Sequence, residues 1–182
     1  KIAILDPTIG GTGQAGAIFL YATEGLGKDY LRQLFGQGLI VSRDDRQIVD
    51  WIVRGTYPLE VSGSQTVAAQ MEGQGVHVPM LGAENMREGG WTSAGSSAVA
   101  AINRAPHPNA IKVYLDYLLS KDGSTAFARS VGYISRRTDV PIEHVPDVFI
   151  PKKGINYLPS YKEKYVRLRD EMVAFLKPLM PA

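Results

Sequence analysis

Three short polar turns carry the residue types that could do chemistry in this chain. The first is Gly11-Thr12-Gly13-Gln14-Ala15-Gly16, a GxGxxG pattern between an apolar strand-like run, Lys1–Leu5 (KIAIL), and a helix-like one. Glycines there let backbone approach a pyrophosphate at a helix N-terminus, which suggests a nucleotide-dependent oxidoreductase. Two features disagree with that reading. Five residues separate Leu5 from Gly11, and the chain reads helical (KDYLRQL) where a second strand should end in an acidic residue. A broader reading keeps the physics: unshielded N–H groups at a helix start favour a carboxylate, a phosphate or another anion. The same glycines would equally serve a tight turn that needs only backbone freedom. Ser62-Gly63-Ser64-Gln65 repeats the strand, small polar turn, helix arrangement, and Ser42-Arg43-Asp44 is a third helix start. Arg43 could fork onto an anion, or be merely solvated. Ser62 or Ser64 could be a simple N-cap. Trp91, after Glu88-Gly89-Gly90, could wall a ligand or pack a core.

Other chemistries lack their groups. With no cysteine, thiol nucleophiles, disulfides and cysteine-ligated zinc are excluded. His77, His107 and His144 lie in separate segments without HxxH or HExxH spacing, so no metal is expected. Gly95-Ser96-Ser97 does not form GxSxG, and no carboxylate pair in a plausible cleft suggests glycosidase chemistry. The net charge of +2, with both signs interspersed, marks no nucleic-acid stripe. The 182 residues, 45% hydrophobic and 21% charged, suit one sizeable domain or two small lobes, and no apolar run is long enough to span a bilayer. Lys1 is not an initiator Met, and KIAIL reads as a strand inside a fold, so the chain is expected to begin internally.

The elements that must position these turns are predicted from periodicity. Lys1–Leu5 is a strand ended by Asp6-Pro7. Gln14–Thr23 is a helix with Ala15, Ile18, Phe19 and Ala22 on one face, and Lys28–Leu34 is a second helix. Ser42 is expected to cap Arg43–Arg54, and Tyr57–Val61 is the next strand, followed by a helix over Gln65–Glu72. Val76–Leu81 reads as extended, Gly82–Gly90 as a connection, and Ser97–Asn103 as strand-like. Helices are predicted for Asn109–Leu119, for Lys121–Ser130 capped by Ser120, and for Tyr161–Leu176. Residues 138–159 hold four of the eleven prolines and are expected to run over the surface. Alternating strands and helices make the class α/β.

Several segments together resemble the solute-binding proteins of ABC importers, in the family that includes ferric-iron-binding receptors. Arg104–Ser120 (RAPHPNAIKVYLDYLLS), running into Lys121-Asp122-Gly123, is similar to that family's "APHPNAAKLFIDFLLSxEGQ". Gly132–Val140 (GYISRRTDV) is similar to its "GYxPxRxDV", and Ile48–Leu59 resembles its helix-to-strand step. The resemblance implies a periplasmic-binding-protein type II architecture, two α/β lobes closing on a solute. One lobe would be complete and the other represented only by its C-terminal part. Residues 1–82 would form the second lobe, 83–92 the inter-lobe crossing segment, and 93–182 the C-terminal part of the first lobe with a terminal helix. Iron-binding members carry adjacent tyrosines where this chain has Ser62-Gly63-Ser64-Gln65-Thr66, so a ferric ion is not the expected cargo.

The resulting expectation is a non-enzymatic, periplasmic, monomeric substrate-binding component of an ABC transporter. Its partners would be a small-molecule solute, an organic anion or polar compound, and the transporter permease, with no cofactor and no nucleic acid. Candidate ligand-binding residues are Thr8, Gly10, Gly11, Thr12, Gly13, Arg43, Asp44, Ser62, Gly63, Ser64, Gln65 and Trp91.

Overall fold

The computed structural model describes residues 1–92 and 99–181. The chain forms two compact units, Lys1–Ser96 with Pro151–Ala182, and Ser97–Ile150. These follow other bounds than the sequence division into 1–82, 83–92 and 93–182.

In the larger unit, β1 (Ile2–Leu5) is followed by α1 (Thr12–Ala22), α2 (Gly27–Gly36), β2 (Ile40–Ser42), α3 (Asp45–Val53), β3 (Leu59–Val61) and α4 (Gln65–Gly73). The three strands form a parallel sheet in the order β2-β1-β3. A second parallel pair joins β4 (Gly90–Thr92) to β5 (Tyr157–Pro159), and α7 (Glu163–Leu176) ends the unit before a 3-10 turn at Lys177–Leu179. The class is α/β.

The strand β1 is apolar on both faces because both are covered, as parallel sheets require. Ile4 faces a cluster containing Ala17, Ile18, Leu31, Phe35, Met172 and Leu176, supplied by α1, α2 and α7. Ala3 and Leu5 face Ile48 of α3, with Trp51 and Tyr57 packed beside it. Behind α3, Val49 packs with Ala68 of α4 and with Val78. Each large aliphatic side chain so buried stabilises the unit by about 1.5–3 kcal/mol, an upper bound that assumes an extended unfolded chain.

Helix α1 starts at Thr12, two residues before the predicted Gln14, and is buried at Gly13, Gly16, Ala17, Ile18, Phe19 and Leu20. It is enclosed by the sheet, α2, α7 and β4 rather than exposing one polar face. Its glycines explain how it comes so close. A Cβ on Gly13 would stand 2.6 Å from the Leu5 carbonyl oxygen, and one on Gly16 would collide with the Ser62 side chain.

Further sequence expectations are corrected. The cap of α3 is Asp44, whose carboxylate accepts from the amides of Arg46 and Gln47; Ser42 instead ends β2. Short β2 was not foreseen, and the Tyr57–Val61 strand shortens to Leu59–Val61. Of the strand-like run at Ser97–Asn103, residues 99–103 form no strand and the rest lies outside the described residues, as does the Gly95-Ser96-Ser97 stretch. The 138–159 segment is no mere surface run, since Val140, Val145 and Leu158 are buried and its β5 pairs with β4.

In the smaller unit, α5 (Pro108–Leu119) and α6 (Lys121–Val131) meet at Ser120, whose hydroxyl accepts from the Gly123 amide as foreseen. Gly132, at φ 70°, ends α6 in the left-handed conformation that glycine adopts without strain. Arg137 forks onto Asp139 through Nε and Nη2 at 2.9 and 2.8 Å, and its Nη1 donates to the Leu119 carbonyl at 2.9 Å. The Arg-Thr-Asp step thus fastens its loop to the last turn of α5.

Gly13→Ala is expected to destabilise the protein by roughly 1–3 kcal/mol, because backbone rather than a flexible side chain occupies the space. Gly10→Ala, with nothing within 4 Å, should change stability by less than about 0.5 kcal/mol. Urea unfolding of both variants checks the contrast.

Candidate functional site

Parallel strands end at one edge, and here the loops after all three strands are tied together. Leu5 is in register with Ser42, and Ile4 with Val61. The connection from β1 to β2 runs over the α1 face, while that from β2 to β3 runs over the α3 face. Helix α1 leaves β1 on one face and α4 follows β3 onto the other, where it packs on α3. The crevice between β1 and β3 is therefore a topological switch point, where open α/β sheets place ligands.

Asp6 joins the first loop to the second. It is 8% exposed, and its amide donates to the Ser42 carbonyl at 2.8 Å. One carboxylate oxygen accepts from the Thr8 amide at 2.9 Å and the Thr8 hydroxyl at 2.6 Å. The other accepts from Arg43 Nε at 3.0 Å. Burial alone would raise the Asp6 pKa, but the Thr8 bonds and the Arg43 guanidinium outweigh it and hold the carboxyl below its ordinary value. The Arg43 side chain remains 77% exposed. Asp6 thus holds the guanidinium through Nε beside the loop that opens α1. No side chain caps that helix, whose N-cap is Gly11 at φ 149° and ψ −160°. Neither Gly10 nor Gly11 has any atom within 4 Å of a would-be Cβ, so the backbone there is open to an incoming group.

The third loop meets helix α1 through Ser62, which packs on Gly16. Ser62 has φ 67°, which is costly for a residue with a side chain, and its buried Oγ has no hydrogen-bond partner. Gly63 lies over the Glu60 carboxyl, with only 2.9 Å between a would-be Cβ and Oε2. Ser64 occupies the N-cap position of α4 but makes no capping bond; its hydroxyl donates to Asp45 instead. Gln65 begins α4. Desolvation, then the neighbouring Asp45 charge, push the Glu60 pKa up to about 7. Asp45 is also raised, by burial foremost and then by Asp44, against the lowering effect of the Ser64 bond.

Thr8, Gly10–Gly13, Arg43 and Ser62–Gln65 accordingly share one edge, whereas Asp44 is occupied as the α3 cap. Trp91 lies elsewhere. It sits on β4 and stacks on Phe19 with ring centroids 5.6 Å apart. Phe19 is seven residues along α1 from Thr12, or about 10 Å at the helical rise. Sequence reasoning passed over Asp6, Asp45 and Glu60. An acidic residue closing an apolar strand, and one inside the Leu59-Glu60-Val61 strand, were the available signals. Two open grooves, of about 430 and 370 Å³, flank the opposite end of α1 around Thr23. Among the described residues no group of three or more His, Cys, Asp or Glu is arranged to hold a metal.

Comparison with known proteins yields no matching family model, no matching curated sequence and no matching solved structure.

Asp6→Asn should cost about 1.5–3 kcal/mol at neutral pH, the scale of a lost charge-assisted hydrogen bond. Because the folded-state pKa is lowered from 3.8, the Asp6 contribution is present above that value and is lost as pH falls through the folded one. Denaturant midpoints of wild type and D6N, separated at pH 7, should therefore converge in strong acid.

Proposed function

We propose that the chain is a capturing rather than a transforming protein, the substrate-binding component of an ABC importer that holds a small organic anion. The observation that carries this reading is the juxtaposition at one sheet edge of the uncapped α1 start and an arginine held in place by a buried aspartate. Both favour negative charge: the helix start through its dipole and N–H groups, the guanidinium through its remaining donors. A solute carboxylate or phosphate would accept from backbone at Gly10–Gly13 and from Arg43. The hydroxyls at Thr8 and Ser64 are already turned onto Asp6 and Asp45, so they shape the rim rather than supply free donors. Delivery to a permease and a periplasmic setting belong to the same proposal, supported by the segments similar to the receptor family. The type II, two-lobed architecture is likewise part of it.

A nucleotide-dependent oxidoreductase is the alternative reading, and packing accounts for two of the three glycines without a cofactor. Gly13 and Gly16 are small because Leu5 and Ser62 leave no room for a Cβ.

Thermal shift with small carboxylates and phosphorylated compounds, set against NAD(H) and nucleotides, separates the two readings. An anion at 100 times its dissociation constant should raise Tm by about 5–10 °C, from some 2.7 kcal/mol of linkage in a chain of this size. Arg43→Ala should weaken that anion about 10- to 100-fold without lowering the Tm of the free protein by more than a few degrees. A shift with dinucleotide and none with any anion overturns the proposal.

A further inference from the structure

The turn between β3 and α4 is poorly satisfied by its own surroundings. Among the described residues, three of the four buried side-chain polar atoms lacking a hydrogen-bond partner belong to it or lie under it: Ser62 Oγ, Glu60 Oε1 and Asp45 Oδ1. Buried orphan groups and a left-handed serine each cost free energy, so the surroundings must hold this turn in place.

Among the described residues no cation lowers the pKa of either acid. Strand β1 offers Ala3, the register partner of Glu60. Helix α3 offers Asp45 with Asp44 beside it, while Arg46 is hydrogen-bonded to Gln70. Helix α4 offers the neutral Ser64 at its cap. Its one charged residue, Glu72, is engaged by His77 and the Val78 amide. Helix α1, which meets the turn at Gly16, carries no charged residue. Two half-buried carboxylates in such a site ionise together only at a cost, and the ordinary remedy is to retain a proton.

We propose that Asp45 and Glu60 form a proton switch beneath the Ser62–Gln65 turn, which stays closed while the pair holds a proton and opens to water when the proton leaves. Glu60 holds that proton near neutrality, where its carboxyl titrates. Loss of the proton leaves two half-buried like charges, each with one oxygen shut off from water, and lifting Gly63 off the Glu60 carboxyl is the shortest way to hydrate that group. The opened, doubly ionised pair also places negative charge at the edge where the anion binds. On the receptor reading above, anion affinity therefore falls as pH rises through 7. Capture and release would be linked to one proton.

The experiment uses the unliganded full chain, so that the switch is judged separately from the receptor reading. Carboxyl-carbon NMR follows the Glu60 titration. Amide hydrogen exchange across residues 62–67, corrected for the intrinsic pH dependence, follows the turn from pH 5 to 9. Wild type should titrate Glu60 near neutrality and lose protection in the turn by up to about tenfold per pH unit above it, the limit for one proton. Glu60→Gln, neutral and nearly isosteric, should hold protection flat. Asp45→Asn should move the Glu60 titration toward acid, which keeps the test decisive if the first variant folds poorly. Glu60 titrating at its ordinary value, or the same exchange profile in wild type and E60Q, overturns the switch. Inorganic phosphate and the carboxylate panel are then titrated at pH 6 and pH 8. Weakening at pH 8 in wild type but not E60Q supports the linkage, and equal weakening in both overturns it. Absence of anion binding at every pH overturns the receptor reading, while the exchange data still decide the switch.

Discussion

Strand β1 is the middle strand of the parallel sheet, and the handedness of its crossovers dictates which helix covers each of its faces. The chain passes from β1 to β2 on one side, then returns over β1 to reach β3 on the other. Parallel crossovers are right-handed, so reversing direction along the sheet moves the connection to the opposite face. Helices α1 and α3 therefore sandwich β1, burying Ile4 on one side and Ala3 with Leu5 on the other. The loops beyond β1 and β3 diverge, and the crevice between them exists because of that reversal rather than because any residue lines it.

Close approach gives the crevice the features on which the proposed site rests. Helix α1 lies against the end of β1 at Gly13 and against the β3 turn at Gly16. Its first turn consequently projects at the sheet edge without a capping side chain. Asp6 supplies the complementary order. A buried carboxylate with three donors is well satisfied, and it spends one of its oxygens on a guanidinium whose other donors stay accessible. The positive end of a helix and a positioned arginine thus arise from packing and hydrogen bonding that the fold needs in any case. The neighbouring turn is the reverse case. Asp45, Glu60 and Ser62 carry buried oxygens with no partner, so local stability there is lower than at Asp6 and sensitive to protonation.

Much of the α/β order was legible along the chain because strands and helices here announce themselves locally. KIAIL before Asp6-Pro7 could only be extended. Ser120 before Lys121-Asp122-Gly123 named its own cap. Polar turns at Gly10–Gly13, Ser42–Asp44 and Ser62–Gln65 were visible as breaks between apolar runs. Short β2 and β5 were not, since three residues are too few to show an alternation and their pairing partners are remote in sequence. Helix α1 shows one apolar stripe in sequence although it is covered nearly all round, and the cap of α3 falls on Asp44 rather than on Ser42. What the sequence alone determined was the residue inventory and the class: no thiol chemistry, small flexible turns at helix starts, an α/β alternation. What only the tertiary structure decided was which turns meet, that Arg43 is held by Asp6, that Trp91 stacks on Phe19, and that the charge of Asp45 acts on Glu60 while each keeps a buried oxygen without a partner. Those facts depend on contacts between residues far apart in the chain, and local periodicity carries no information about which strand ends become neighbours.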